Sequence, residues 1–426
     1  MISGTSILIL FGVLFFCLLI GVPIGFTLGL SGIITILTVG EQFMIQVPLT
    51  LNKTLSEFVF VAIPLYVLMG EILYQGKSGE RIFYLVNSWL GRLRGGTGVA
   101  TVSAYTFFAA IVGSSMASVL TIGKIAIPEM GKKNYDKGVT YGLSAVGGSL
   151  GMLIPPSMGL LLYASLTGVS PSKLFMAGVV PGLLIAGLLG IWVVWKAPKT
   201  VKLPEVETVE KANAKDVIKA IPDILLPVIV LGGIYAGIYS PTEAAAVGVV
   251  YALIISYGLH RSLKVKDFGK ILLEATKTTA MLLTIVVGAL VFGSALTLVG
   301  LSDFLASGIE SMDVAPWVVL LAMNLIWIVM GFFLEVVSIL LITTPMFYPI
   351  IVSLGYDPIW FGILMMINME LAVITPPVGM NLFALKTLVP EESMGKIIKG
   401  VIPSIVIVVV ALILVWLFPG IAIGIL

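Results

Sequence analysis

Gly147-Gly148-Ser149-Leu150-Gly151-Met152-Leu153-Ile154-Pro155-Pro156-Ser157 interrupts an apolar segment of membrane-spanning length, and Ile374-Thr375-Pro376-Pro377-Val378-Gly379-Met380-Asn381 interrupts another, 221 positions on from Pro155 to Pro376. Each proline removes an amide donor and clashes with the carbonyl four residues before it, so a Pro-Pro pair frees carbonyls about one turn upstream. Hydrocarbon offers them no partner, and unwound backbone at that depth persists only where protein buries it or it lines a polar cavity. Freed carbonyls with Ser or Thr hydroxyls suit a hard cation such as Na+, and the new half-helix N-terminus suits an anion. A single Pro kink in a membrane helix is ordinarily only a kink. Two at matched positions point to a function.

The composition fits this reading. Hydrophobic residues are 59% of the 426 and charged residues 11%, with a mean hydropathy of +1.14, whereas soluble domains carry about 25% charged residues. A polytopic, all-α membrane protein is implied. No nucleic-acid patch is visible. The one cysteine, Cys17, excludes an intrachain disulfide and a Cys metal site. No basic residue precedes Lys53, so the first apolar stretch reads as a retained span rather than a cleaved signal. The chain has no GxxxxGK[ST], HExxH or GxSxG motif. That points away from ATP-driven pumping and from an enzyme, and leaves an ion gradient as the energy source.

Apolar segments at 4–21, 22–40 and 58–76 read as spans, with a mixed, interfacial stretch at 41–57. Residues 77–94, with Trp89 and three arginines, read as a surface helix. Segments 97–130 and 316–351 have small or polar centres at Gly113-Ser114-Ser115 and Gly331-Phe332-Phe333-Leu334-Glu335. Their arms, about 16 residues or roughly 24 Å each, fall short of a bilayer core of roughly 30 Å, which favours re-entrant hairpins. The breaks themselves lie in spans 138–168 and 358–388. Tyr135 to Pro155 and Tyr356 to Pro376 are both steps of 20, and Gly178-Val179-Val180-Pro181 answers Gly400-Val401-Ile402-Pro403. The chain therefore reads as two copies, 1–195 and 222–426, joined by a solvated cytoplasmic linker, 196–221.

Charge sets their relative orientation. Lys77, Arg81, Arg92, Arg94, Lys132, Lys133 and Lys137 flank the first hairpin, and Asp303, Glu310, Asp313 and Asp357 flank the second. By the positive-inside rule the first has cytoplasmic ends and the second outward ends, so the copies are inverted and both termini lie outside. On this threading Lys53 and Lys173 fall outside, and Lys124, within an arm, snorkels toward the cytoplasm.

Several residues carry two readings. Ser114 and Ser115 fit small-residue packing or, opposite a broken span, an ion site. Glu335, an intramembrane carboxylate, is functional by default, Glu370 carries the same reading less directly, and Glu71 fits either gating or packing. Ser240-Pro241-Thr242-Glu243 is accounted for as a capping box and Ser170-Pro171 as a helix start. His260, among basic residues, reads as an interfacial helix end.

Ile63-Pro64-Leu65-Tyr66-Val67-Leu68-Met69-Gly70, Gly113-Ser114-Ser115, Leu153-Ile154-Pro155-Pro156-Ser157, Ser240-Pro241-Thr242-Glu243-Ala244-Ala245 and Thr375-Pro376-Pro377-Val378-Gly379 together resemble the large membrane subunit of the TRAP (tripartite ATP-independent periplasmic) transporters over nearly the whole chain. The resemblance implies an elevator-type, secondary active, Na+-coupled importer of organic acids, of C4-dicarboxylate or sialic acid type, in the bacterial inner membrane. It also implies a small membrane subunit and a periplasmic substrate-binding protein as partners. Carried over by motif, one Na+ site takes Ser114, Ser115 and the carbonyls around Gly151, Ile154 and Pro155. A second takes Gly331, Glu335 and the segment Val373, Thr375 and Pro376, and the substrate carboxylate lies near Ser157, Gly379 and Asn381. The alternative is a stand-alone ion-coupled carboxylate carrier with no binding protein.

Overall fold

In hydrocarbon a chain must satisfy its own backbone, and the apolar stretches of this one do so as helices; no strand occurs among the described residues. The computed structural model describes residues 4–91, 93–198, 214–301, 304, 307–308, 314–332 and 334–426, with side chains at 53–55 and 214–219 excepted. Most of the linker, the Lys53 side chain, Arg92, Asp303, Glu310, Asp313 and Phe333 lie outside the described residues.

The first half of the chain contains α1 (Gly4–Leu19), α2 (Ile24–Val39), α3 (Gln46–Ser56), α4 (Phe58–Gln75), α5 (Ser78–Leu90), α6 (Gly96–Val112), α7 (Ser115–Lys132), α8 (Lys137–Ser149), α9 (Met158–Thr167) and α10 (Pro171–Lys196). The second half contains α11 (Ala214–Tyr235), which begins inside the stretch read as the linker, α12 (Pro241–Leu253), α13 (Phe268–Leu298), α14 (Pro316–Met330), α15 (Val336–Ser353), α16 (Pro358–Ile374), α17 (Met380–Leu388), α18 (Met394–Leu417) and the short α19 (Gly420–Ile423). Among the described residues six helices are long and apolar enough to cross a membrane: Phe58–Gln75, Pro171–Lys196, Pro241–Leu259, Val265–Leu298, Val336–Ser353 and Met394–Leu417. Because Val336–Ser353 is one of them, arm length alone does not separate an arm that turns back from one that crosses. The starts follow local rules. Ser240 accepts from the Glu243 amide at 3.3 Å while the Glu243 carboxylate accepts from the Ser240 amide at 2.7 Å, and Ser170 caps α10 with Pro171 in the first turn.

Lipid tails provide no hydrophobic drive between helices, so close approach and side-chain interlocking hold them together. The α2–α13 crossing shows the first: a β-carbon on Gly288 would lie 2.0 Å from the Gly25 carbonyl oxygen, so only glycine admits this contact. The second appears around Trp327, which is fully buried, donates to Thr343 Oγ1 at 2.9 Å and packs against Phe347 and Phe361. By packing, α1, α2, α4, α11, α12 and α13 form one group, α6 to α10 with α14 to α18 form another, and the two meet where α13 packs on α15 and where α4 packs on α6 and α9. The α5 helix packs on α6 and α7 of one group and on α11 and α4 of the other. It is the segment read as a surface helix, and it buries Ile82, Phe83, Leu85 and Val86. Leu8, Phe16, Leu19, Ile191 and Trp195 are all more than 60% exposed, an outer surface that suits lipid.

Candidate ion and substrate site

Both breaks fall where the Pro-Pro pairs are. The α8 helix ends at Ser149 and tightens into a 3-10 turn, Leu150–Met152, in which the Leu150 carbonyl accepts from the amides of both Leu153 and Ile154. The chain then runs through Pro155 and Pro156 to Ser157, which caps α9 by accepting from the Leu160 amide at 3.4 Å and donates its hydroxyl to the Met152 carbonyl. In the second copy α16 stops at Ile374, Thr375 is extended (φ −87°, ψ 129°), and α17 restarts after Gly379. Thr375 turns its hydroxyl back to the Leu371 carbonyl at 2.6 Å, which satisfies a carbonyl one turn upstream of the break. Gly379 has φ +33°, a region costly for any side chain.

Each helix–tip–helix unit meets the break of its own copy. Gly113 takes a left-handed φ of 62° between α6 and α7, and a β-carbon on it would lie 3.4 Å from the Pro156 carbonyl oxygen. A β-carbon on Gly148 would lie 3.1 Å from the Ser115 carbonyl oxygen. Ser114 caps α7, its Oγ accepting from the Ala117 amide at 3.4 Å while its carbonyl accepts from Ser118. On the other side a β-carbon on Gly331 would lie 2.4 Å from that of Ala372, the residue before Val373. Glu335 precedes α15 and is partly buried. The structure thus brings Gly113 of the first tip against Pro156 and Ser115 against Gly148, and Gly331 of the second tip against Ala372.

The residues read as substrate ligands sit differently. Asn381 has no exposed surface; its Oδ1 accepts from Ser115 Oγ at 2.7 Å and its Nδ2 donates to the Ala145 carbonyl at 2.8 Å. One side chain from the second copy therefore ties the first tip to the first broken helix. Ser157 is 2% exposed and its hydroxyl is spent on the break itself. Pro377 and Val378 are exposed beside Thr375 and Pro376, so the second break is the more open of the two.

Further polar groups lie off these breaks. Asn368 Nδ2 donates to Asn324 Oδ1 at 2.5 Å, joining α16 to α14, and both are buried. Glu370 is fully buried, with neither carboxyl oxygen hydrogen-bonded. Its distance from any hairpin tip in sequence hid this environment. Glu71 accepts from Gln75 Nε2 at 2.6 Å, which is an intrahelical pairing. His260 ends its helix, as read from sequence, and its side chain is 3% exposed, with Nε2 3.1 Å from Asp223 Oδ2. Its basic neighbours in sequence obscured a carboxylate 37 residues upstream.

The comparisons with known proteins converge. Residues 11–421 match the family described as tripartite ATP-independent periplasmic transporter, DctM component. The chain is 39% identical over 402 residues to the C4-dicarboxylate TRAP transporter large permease protein DctM of Pseudomonas aeruginosa, with 93% of each chain covered. It is 32% identical over 404 residues to the sialic acid TRAP transporter large permease protein SiaM of Vibrio cholerae, covering 94% of this chain and 93% of that one. Among solved structures, the YdaH transporter of Alcanivorax borkumensis shares the fold at a TM-score of 0.60 and 16% identity, with 89% of each chain covered. On the family match and these identities, the chain belongs to the DctM family, the large permease component of the tripartite ATP-independent periplasmic transporters.

Proposed function

We propose that this chain is the large permease subunit of a Na+-coupled importer of organic acids in the bacterial inner membrane, working with a small membrane subunit and a periplasmic substrate-binding protein. The observation that carries the reading is the pairing of each glycine-containing tip with the break of its own copy, together with the Ser115–Asn381 bond that joins the copies. Helix breaks at membrane depth place carbonyls and hydroxyls where a hard cation is held, and half-helix N-termini where a carboxylate is held. One Na+ site uses Ser114, Ser115 and the backbone around Gly151, Ile154 and Pro155. The other uses Gly331, Glu335, Val373, Thr375 and Pro376. The substrate carboxylate lies at the more open second break, near Gly379, with Ser157 and Asn381 shaping the wall.

C4-dicarboxylates and sialic acid are the substrates named for two of the relatives, and both carry a carboxylate. The two packing groups support an elevator movement, in which the body holding both breaks slides against the body of α1, α2, α4 and α11 to α13. The tips turn back within the membrane, and both termini are periplasmic.

The test is thermal unfolding of the purified complex titrated with Na+, K+ or choline at constant ionic strength. A ligand bound only by the folded state adds about 2.7 kcal/mol at a hundred times its Kd, so Na+ alone raises the transition, and saturably. Equal responses to the three cations would rule out the Na+ sites. Uptake into proteoliposomes with candidate acids and a binding protein then assigns the substrate.

A further inference from the structure

The two packing groups meet where α13 packs on α15, where α4 packs on α6 and α9, and through α5, and the start of α5 is tied down by the most buried ion-pair network among the described residues. Arg81 engages Asp223 of α11 with both prongs, Nε to Oδ2 at 2.8 Å and Nη2 to Oδ1 at 2.9 Å. Its Nη1 donates to the Gly76 carbonyl at 2.7 Å and its Nη2 also reaches Ser78 Oγ at 3.0 Å. His260, just past the π-turn Ile254–Leu259, closes the carboxylate from the other side at 3.1 Å. The Asp223 and His260 side chains are 0% and 3% exposed. Between Gly76 and Ser78 the chain turns at Lys77 with φ 61°, a left-handed corner that an L-residue holds only when its surroundings require it. The Arg81 bond to Gly76 spans that corner.

The network joins positions 142 and 37 residues apart, and a buried pair of this kind adds little net stability over an apolar one. What it does add is geometry: a bidentate guanidinium–carboxylate fork fixes distance and angle together. We propose that Arg81, Asp223 and His260 are positioning residues for transport, a clamp that fixes the N-terminal end of α5 to the static body so that α5 acts as a strut against α6 and α7. This rests on the two-body transport reading above. None of the three belongs to the ion or substrate groupings, so losing the clamp slows the movement between bodies while leaving the sites intact.

The experiment compares wild type with Asp223→Asn and with the paired replacement Arg81→Met plus Asp223→Met, which leaves no unpaired buried charge. Each is measured in the reconstituted complex with its binding protein. For both variants the maximal uptake rate per folded complex falls about tenfold or more, as for a conformational step, while KM and the Na+ midpoint of the thermal shift stay within about twofold. Amide exchange in Ser78–Leu90 rises in both, a readout that requires no transport. An unchanged maximal rate, a rate that falls only with the folded fraction, or KM and Na+ midpoint shifting along with it overturns the clamp. If wild type itself shows no Na+-dependent uptake, the transport reading fails instead, and unchanged exchange in α5 then overturns the clamp independently.

Discussion

Replacing Asn381 by alanine removes two hydrogen bonds from a side chain with no exposed surface, one from Ser115 at 2.7 Å and one to the Ala145 carbonyl at 2.8 Å. Between partners buried in a membrane protein each such bond measures about 0.6 kcal/mol on average and about 1.7 at most. The pair is therefore worth about 1–3 kcal/mol, and the space vacated by the amide adds to the loss. Ser115→Ala removes only the first bond, for about 0.6–1.7 kcal/mol. In the double variant Ser115 has no bond to Asn381 left to lose, so the two effects fall short of adding by the same about 0.6–1.7 kcal/mol. Equilibrium unfolding of the four proteins in mixed micelles, with K+ replacing Na+ so that ion binding does not enter, gives the coupling directly. A coupling below about 0.3 kcal/mol, the scatter expected of independent sites, would refute the claim that this bond joins the two copies. Repeating the cycle in saturating Na+ should enlarge the loss in both variants that lack Ser115, because the same hydroxyl is placed in the proposed first ion site.

Ser114→Ala should raise the Na+ midpoint of the thermal shift while leaving stability in K+ within about 1 kcal/mol, since the cap it supplies is a long one at 3.4 Å; an unchanged Na+ titration counts against its role. Gly331→Ala places a methyl 2.4 Å from the Ala372 β-carbon, so the second tip must withdraw from its break. Transport should drop at least about tenfold, as misplacement by about 1 Å can do, and Ala372→Gly in the same chain should restore part of it. Lys137, assisted by Lys396 at 3.5 Å, holds the Glu392 carboxyl below its ordinary value. A lowered folded-state value contributes stability that is present above the unfolded carboxylate value and is lost as pH falls through the folded one. Glu392→Gln should therefore flatten the wild-type loss of thermal stability on acidification below about pH 4.5, and an identical pH profile for the two proteins would contradict the pairing.

The breaks were legible because proline acts on backbone within four residues of itself, so their positions did not depend on what surrounds them. The grouping of Ser114 and Ser115 with 151–155 and of Gly331 with 373–376 came from the family resemblance, and the structure sets Gly113 against Pro156 and Gly331 against Ala372. The partners of Asn381 were not legible. Its place after a half-helix start suited a substrate ligand, and only the packing of α17 on α7 and α8 shows its amide already engaged with Ser115 and Ala145. The same holds for His260, whose place at a helix end was legible while its pairing with Asp223 was not. Glu243 and Ser240 behaved as read, because a capping box closes within one turn.

By itself the sequence determined that this is a membrane chain of many helices, where each of its two broken helices breaks, and to which family the motifs point. These follow from the length of apolar runs, proline geometry and hydroxyl caps, all of which act over a few residues. Tertiary structure alone decided which polar side chains remain free for a ligand. Ser115 and Asn381 are 266 positions apart and Arg81 and Asp223 are 142 apart. Helix periodicity tells which residues share a face but not which face of another helix it meets, so those pairings exist only once the helices are packed.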